Sequence, residues 1–150
     1  MANDLEDRLA INQVVDTYAL GIDSRDWDLV TSVFTDDASL DYTAFGGPKG
    51  PRDDVIMWLQ DALGAFVMSQ HLITNRLVTI DGDDAVVSAE LLAIMGMPGS
   101  APGKMSMMQT GGQYNDRLVR TSDGWKIAKR TCDRGWLASA PDASGPWSPD

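Results

Sequence analysis

The apolar positions of this chain change period along its length, and that change divides it into a helical part and a strand part. Ile11, Val15, Tyr18 and Ile22 recur at helical spacing, and Leu5 and Leu9 carry the stripe toward the N-terminus. Gly21 weakens the last turn, so this first helix is expected to end near Asp23. A second, shorter helix follows, capped by Ser24 or Asp26, with Trp27, Val30, Val33 and Phe34 on its apolar face. Thr35-Asp36-Asp37 breaks it, Ala38 to Thr43 reads as a strand, and residues 44–50 read as a loop. Pro51 opens a third helix, with Asp53 and Asp54 in its positive first turn and Val55, Trp58, Leu59, Leu63 and Phe66 on its buried side.

From residue 70 the period is that of strands. Residues 70–80 alternate and are β-branched, and Asp81-Gly82-Asp83 is a turn. Residues 85–96 are apolar at successive positions, which predicts a central strand covered on both faces. Pro98 to Gly103 is a loop, and Lys104 to Arg120 is a long strand with a bulge or bend expected at Gly111-Gly112. Ser122-Asp123-Gly124 turns the chain into a last strand, Trp125 to Trp136. Residues 138–150, mostly Pro, Ser, Asp, Ala and Gly, read as a mobile C-terminal tail. The expected class is α+β: residues 1–137 as one domain, three N-terminal helices on a strongly curved, mostly antiparallel sheet that encloses a pocket.

Composition narrows the function classes. The chain has 150 residues, enough for one core, and 43% of them are apolar. The net charge of -10, from 22 acidic residues against 12 Lys plus Arg, repels phosphate backbones and anionic lipid, so neither nucleic acid nor membrane is an expected partner. The acidic N-terminus lacks the layout of a signal peptide and the single cysteine, Cys132, permits no intrachain disulfide, which makes the cytoplasm the expected compartment. Gly46-Gly47 and Gly111-Gly112 lack the spacing of a dinucleotide-binding loop, and there is no zinc-ligand cluster.

His71 is the only histidine, so a histidine-based proton transfer at neutral pH must use it. Strand alternation puts it on one face with Ile73, Asn75 and Leu77, where a core or interface histidine satisfied by one backbone partner is an equally simple reading. Asp23, at the negative end of the first helix, is uncomfortable without a cation and would be relieved by a nearby imidazole. The alternative is that it caps the second helix.

Several short motifs carry a family resemblance. Tyr18 to Trp27 (YALGIDSRDW), Asp41-Tyr42, Gln70-His71 and Asp123-Gly124-Trp125-Lys126-Ile127, in that order, resemble the SnoaL-like and scytalone dehydratase branch of the nuclear transport factor 2-like superfamily, over roughly residues 4–137. The resemblance implies a cone of curved sheet and three helices. It implies that His71 matches a proton-abstracting base and Asp23 the acid that orients it. Tyr18 matches a pocket hydrogen-bond donor, and Tyr42 a tyrosine that polarises a carbonyl through water. Arg134 matches a pocket arginine, and Asn115 a substrate-contacting asparagine.

One departure matters. The second pocket histidine of scytalone dehydratase has no counterpart in Leu92 to Met97, which excludes a two-histidine mechanism. Glu90 is the only acid in that strand, and its direction is open. Met95, Met97, Met105, Met107 and Met108 crowd together, with Met105 and Met107 on one face and Met108 on the other, as core, interface or the wall of a pocket for a polycyclic ligand.

The expectation is a lyase or isomerase, needing no metal or cofactor, that acts on a small hydrophobic or polycyclic ligand through His71. The alternatives are a non-catalytic ligand-binding module and a small subunit of a ring-hydroxylating dioxygenase. Homo-oligomers are expected, a trimer by resemblance, with a dimer also allowed.

Overall fold

The computed structural model describes residues 4–143. Helix α1 (Asp4–Ser24) places Asp4, Glu6 and Asp7 in its first turn, where backbone N–H groups favour negative charge, and buries Ile11, Val15, Tyr18 and Ile22. Each such buried aliphatic or aromatic side chain stabilises the fold by roughly 1.5–3 kcal/mol. Gly21 lies in the last turn of α1, which ends at Ser24, next to the expected Asp23. A side chain at Gly21 would collide with Val30, so the glycine lets α2 (Trp27–Ser32) pack closely. Asp26 caps α2, its carboxylate accepting from the Leu29 N–H at 2.9 Å.

Strand β1 (Phe34–Asp41) starts earlier than the polar run Thr35-Asp36-Asp37 suggested. Its pairing is irregular between Phe34 and Ser39, and Asp36 turns out to Arg52 at 2.9 Å, so the acids sit in solvent without breaking the strand. A 3-10 turn (Thr43–Phe45) and a short strand β2 (Lys49–Pro51) occupy the expected loop. Helix α3 (Arg52–Leu63) follows, with Pro51 just outside as its cap. Four long strands complete the chain: β3 (Met68–Asp81), β4 (Asp84–Pro98), β5 (Met105–Thr121) and β6 (Gly124–Ala143).

The sheet order is β2-β1-β6-β5-β4-β3, with β1 parallel to β6 and every other pairing antiparallel. It is curved but not closed, and α1 packs across β3 and β6 while α3 packs on β1 and β2. Asp7 fastens α1 to the β5–β6 hairpin: its carboxylate accepts from Arg120 at 2.6 and 2.8 Å and from the Trp125 indole at 2.9 Å.

Three local expectations need correction. β6 runs on to Ala143, pairing Gln109 with Ala138 and Met107 with Ala140, so residues 138–143 are strand and not tail; residues 144–150 lie outside the described residues. β4 is the second strand from an edge. One face, from Ala85 to Met95, is buried, and no helix among the described residues covers the alternate positions, which are exposed or half-exposed. In β3 a bulge at Asn75 (φ 52°) breaks the alternation: Ile73 and Val78 point inward, whereas Leu77 is 70% exposed and Asn75 is also outside.

Candidate active site

Between the concave sheet face and the helices lies a cavity of about 400 Å³. Its wall is largely apolar: Ile22, Leu59, Leu63, Phe66, Leu91, Met95 and Met108 line it, with Phe45, Trp58 and Trp136 adding rings. The polar side chains on that wall are His71, Thr110, Tyr18, Tyr42 and Tyr114. Few, converging polar groups in an apolar concavity are the usual make-up of a small-molecule site.

Asp23 and His71 meet on one flank. The end of α1 and the start of β3 bring the carboxylate against the strand, so that Oδ2 accepts the His71 backbone N–H at 2.8 Å while Oδ1 sits 2.6 Å from Nδ1. The Ser69 hydroxyl also donates to Oδ1, at 3.1 Å. Burial pushes the Asp23 carboxyl up, but the hydrogen bonds and charge from His71, with that of Ser69, outweigh it and hold the group below its ordinary value. A deprotonated Asp23 can only accept, so the contact favours, for the neutral ring, the tautomer with its proton on Nδ1. Asp26 caps α2, so the capping alternative for Asp23 falls away.

Tyr18 and Tyr42 form a second polar group, their hydroxyls 2.6 Å apart. Tyr42 lies just beyond β1, at the start of the 3-10 turn. That turn is anchored by Asp41, whose carboxyl is held down at about 2 by hydrogen bonds from Thr43 and Lys49. Beneath the phenols lies a pair that sequence reasoning missed. Arg130, fully buried, makes two 2.7 Å bonds to buried Asp116 and donates to the Tyr42 hydroxyl at 3.3 Å. Its guanidinium stacks 4.1 Å from the ring centres of both Tyr18 and Tyr114. Burial pushes all three phenols above their usual value, most for Tyr42 and Tyr114, so they stay protonated and able to donate.

Two expected site residues do not reach the cavity. Asn115 lies between Tyr114 and Asp116, both of which point inward; alternation therefore sends it to the other face, where it accepts from Ser88 at 3.1 Å. Arg134, in a left-handed conformation (φ 50°), is exposed and binds Glu90 at 3.0 Å, which also settles the direction of Glu90. The glycine pair behaves as a bulge, with the register shifting between Gly111 and Gln113. A side chain on Gly111 would strike Trp136, and one on Gly112 would strike Phe45. Of the methionines, the cross-strand partners Met95 and Met108 reach the cavity, while Met105 packs on Gly96.

An open six-stranded mixed sheet wrapped over three helices, with its cavity at the concave face, defines the cone of the nuclear transport factor 2-like superfamily. Residues 3–131 match the model of the SnoaL-like domain, and the chain belongs to that family. An uncharacterized protein of Mycobacterium tuberculosis is 37% identical over 127 residues, covering 85% of this chain and 84% of that one. The crystal structure of a Kribbella flavida protein superposes with a TM-score of 0.79 at 29% identity, over 91% of this chain and 95% of that one. A hexachlorocyclohexane dehydrochlorinase superposes with a TM-score of 0.72 at 18% identity, covering 97% and 95%, and so shares the fold. No helix among the described residues is long and apolar enough to cross a membrane.

Proposed function

We propose that the protein is a dehydratase-like lyase or isomerase that removes a proton from a small, neutral, hydrophobic cyclic ligand. The carrying observation is the 2.6 Å contact between Asp23 and the Nδ1 of a histidine that lines an apolar cavity. Nε2 of His71 takes a proton from a carbon next to a carbonyl, and the C–H electron pair moves into an enolate. Asp23 stabilises the imidazolium that results. Arg130 donating to Tyr42 favours the Tyr42 hydroxyl donating its hydrogen bond to the Tyr18 oxygen, which leaves the Tyr18 hydroxyl to donate to the enolate oxygen. Elimination then expels a β-hydroxide, which leaves as water with the proton from His71. Isomerisation instead returns that proton to a different carbon. Neither route needs a metal or a cofactor. Because Asp116 neutralises Arg130, this wall suits an uncharged ligand better than a carboxylate.

A binding-only role would tolerate an occluded or separated pair, and the close Asp23–His71 contact weighs against it. Leu72, Leu77 and Val86, exposed on the sheet, support a homo-oligomer, which the mass in solution tests; copurification with a large iron-containing subunit would instead favour the dioxygenase-subunit reading. The test of the proposed chemistry is turnover across a panel of cyclic β-hydroxy ketones, for elimination, and cyclic β,γ-unsaturated ketones, for isomerisation. The native protein should convert at least one class and His71→Ala should lose about 10²–10⁴-fold of that rate; equal rates would refute it.

A further inference from the structure

Arg25 follows directly on α1 in a left-handed conformation (φ 60°), unusual for a residue with a side chain. That conformation turns its guanidinium back under the site. Nη1 donates to the Ile22 carbonyl at 2.6 Å and to the Ser69 hydroxyl at 2.7 Å, and Nη2 reaches the Leu63 carbonyl at 3.4 Å. Ile22 and Leu63 both line the cavity, as does His71, two residues beyond Ser69. One half-buried cation thus ties together the end of α1, the end of α3 and the start of β3.

The direction of these bonds matters more than their number. A guanidinium has no acceptor, so the Ser69 oxygen must accept from Arg25. Its single proton is then free for Asp23 Oδ1 at 3.1 Å, the same oxygen that faces Nδ1. Ser69 donating into Oδ1 and the His71 backbone N–H donating into Oδ2 hold the ionised carboxylate at two points, and that orientation keeps Oδ1 facing Nδ1 as an acceptor.

We propose that Arg25 and Ser69 are positioning residues that set the tautomer of His71: Arg25 orients the Ser69 hydroxyl, Ser69 donates to Asp23, and Asp23 holds the neutral ring as Nδ1–H with Nε2 bare toward the cavity. This deepens the proposed role of His71 as base and rests on it for its consequence, but it is readable without any substrate. A residue that only stapled the three elements together would affect stability and leave the tautomer alone.

His71 is the only histidine in the chain, so the ring nitrogens of the full-length protein labelled with ¹⁵N-histidine give one unambiguous pair of signals. At a pH where the ring is neutral, the native protein should show the Nδ1–H tautomer. Ser69→Ala and Arg25→Met should each shift the tautomer ratio toward Nε2–H by about fivefold or more, the factor that one ordinary hydrogen bond represents. Ser69→Thr, which keeps the hydroxyl, should restore the native ratio. Asp23→Asn serves as the reference for a lost orienting group. If Asp23→Asn moves the signals while folded Ser69→Ala and Arg25→Met do not, the positioning role is overturned and the dyad stands. If Asp23→Asn itself leaves them unmoved, the dyad fails and the positioning role falls with it. Because the two variants read the relay from opposite ends, loss of fold in one leaves the other to decide.

Discussion

Asp23 grips His71 at two points, accepting the backbone N–H of that residue at 2.8 Å with one oxygen and facing its Nδ1 at 2.6 Å with the other. The backbone contact fixes where the carboxylate sits, and the ring contact fixes which nitrogen carries the proton. Asp23→Asn keeps the shape but can present an amide N–H to Nδ1, which favours the opposite tautomer. Activity on any substrate the native protein converts should fall by a factor on the order of 10²–10⁴, with circular dichroism unchanged.

Asp116 and Arg130 are fully desolvated partners, and either one alone would be an uncompensated buried charge. Asp116→Ala should therefore destabilise the protein by about 3–5 kcal/mol. The double variant Asp116→Leu/Arg130→Met should recover much of that loss, because an apolar pair avoids the desolvation cost. Urea melts of the three proteins check the ordering.

Asp7 sets the acid limit of the α1 attachment. Hydrogen bonds from Arg120 and Trp125 lower its carboxyl from 3.8 to about 2. A depressed carboxyl stabilises the fold at pH values above its unfolded value and loses that contribution as pH falls through the folded one. Asp7→Asn should melt lower than the native protein at neutral pH, and the gap should close between pH 3.8 and about 2. Thermal melts across that window measure it.

Cys132 is buried in the β6 wall, and burial pushes its thiol up to about 12. The thiolate is the reactive form, so native protein should resist alkylation by iodoacetamide at pH 8 and react only after denaturation. Mass spectrometry before and after adding denaturant distinguishes the two.

The periodic parts of the fold were legible in the sequence. Helical spacing over Ile11 to Ile22 and the apolar run after Pro51 identify α1 and α3, and the position of each in the chain brings Asp23 and His71 together. What the sequence hid depends on single-residue shifts in register. Counting back from the β5–β6 turn, strict pairing puts Lys129 opposite Asp116; the bulge between Arg117 and Leu118 puts Arg130 there instead and creates the buried pair. The bulge at Asn75 likewise moves Leu77 out and turns Arg76 toward Asn12 and Asp16 of α1. Asn115 and Arg134 lie off the cavity for another reason: resemblance transfers a position, but regular alternation at Asn115 and a left-handed backbone at Arg134 decide the face. Residues 138–143 carry little apolar signal, and their strand follows from the length of β5 that pairs with them.

The central claim is that His71 takes a proton from carbon inside the cavity, and hydrogen–deuterium exchange reads that step without requiring the natural substrate. A bicyclic ketone shown by NMR to bind the cavity, incubated with protein in D₂O, should acquire deuterium next to its carbonyl with the native protein. With His71→Ala the ketone should still bind but exchange no faster than in buffer. Exchange at the native rate in His71→Ala would contradict the account.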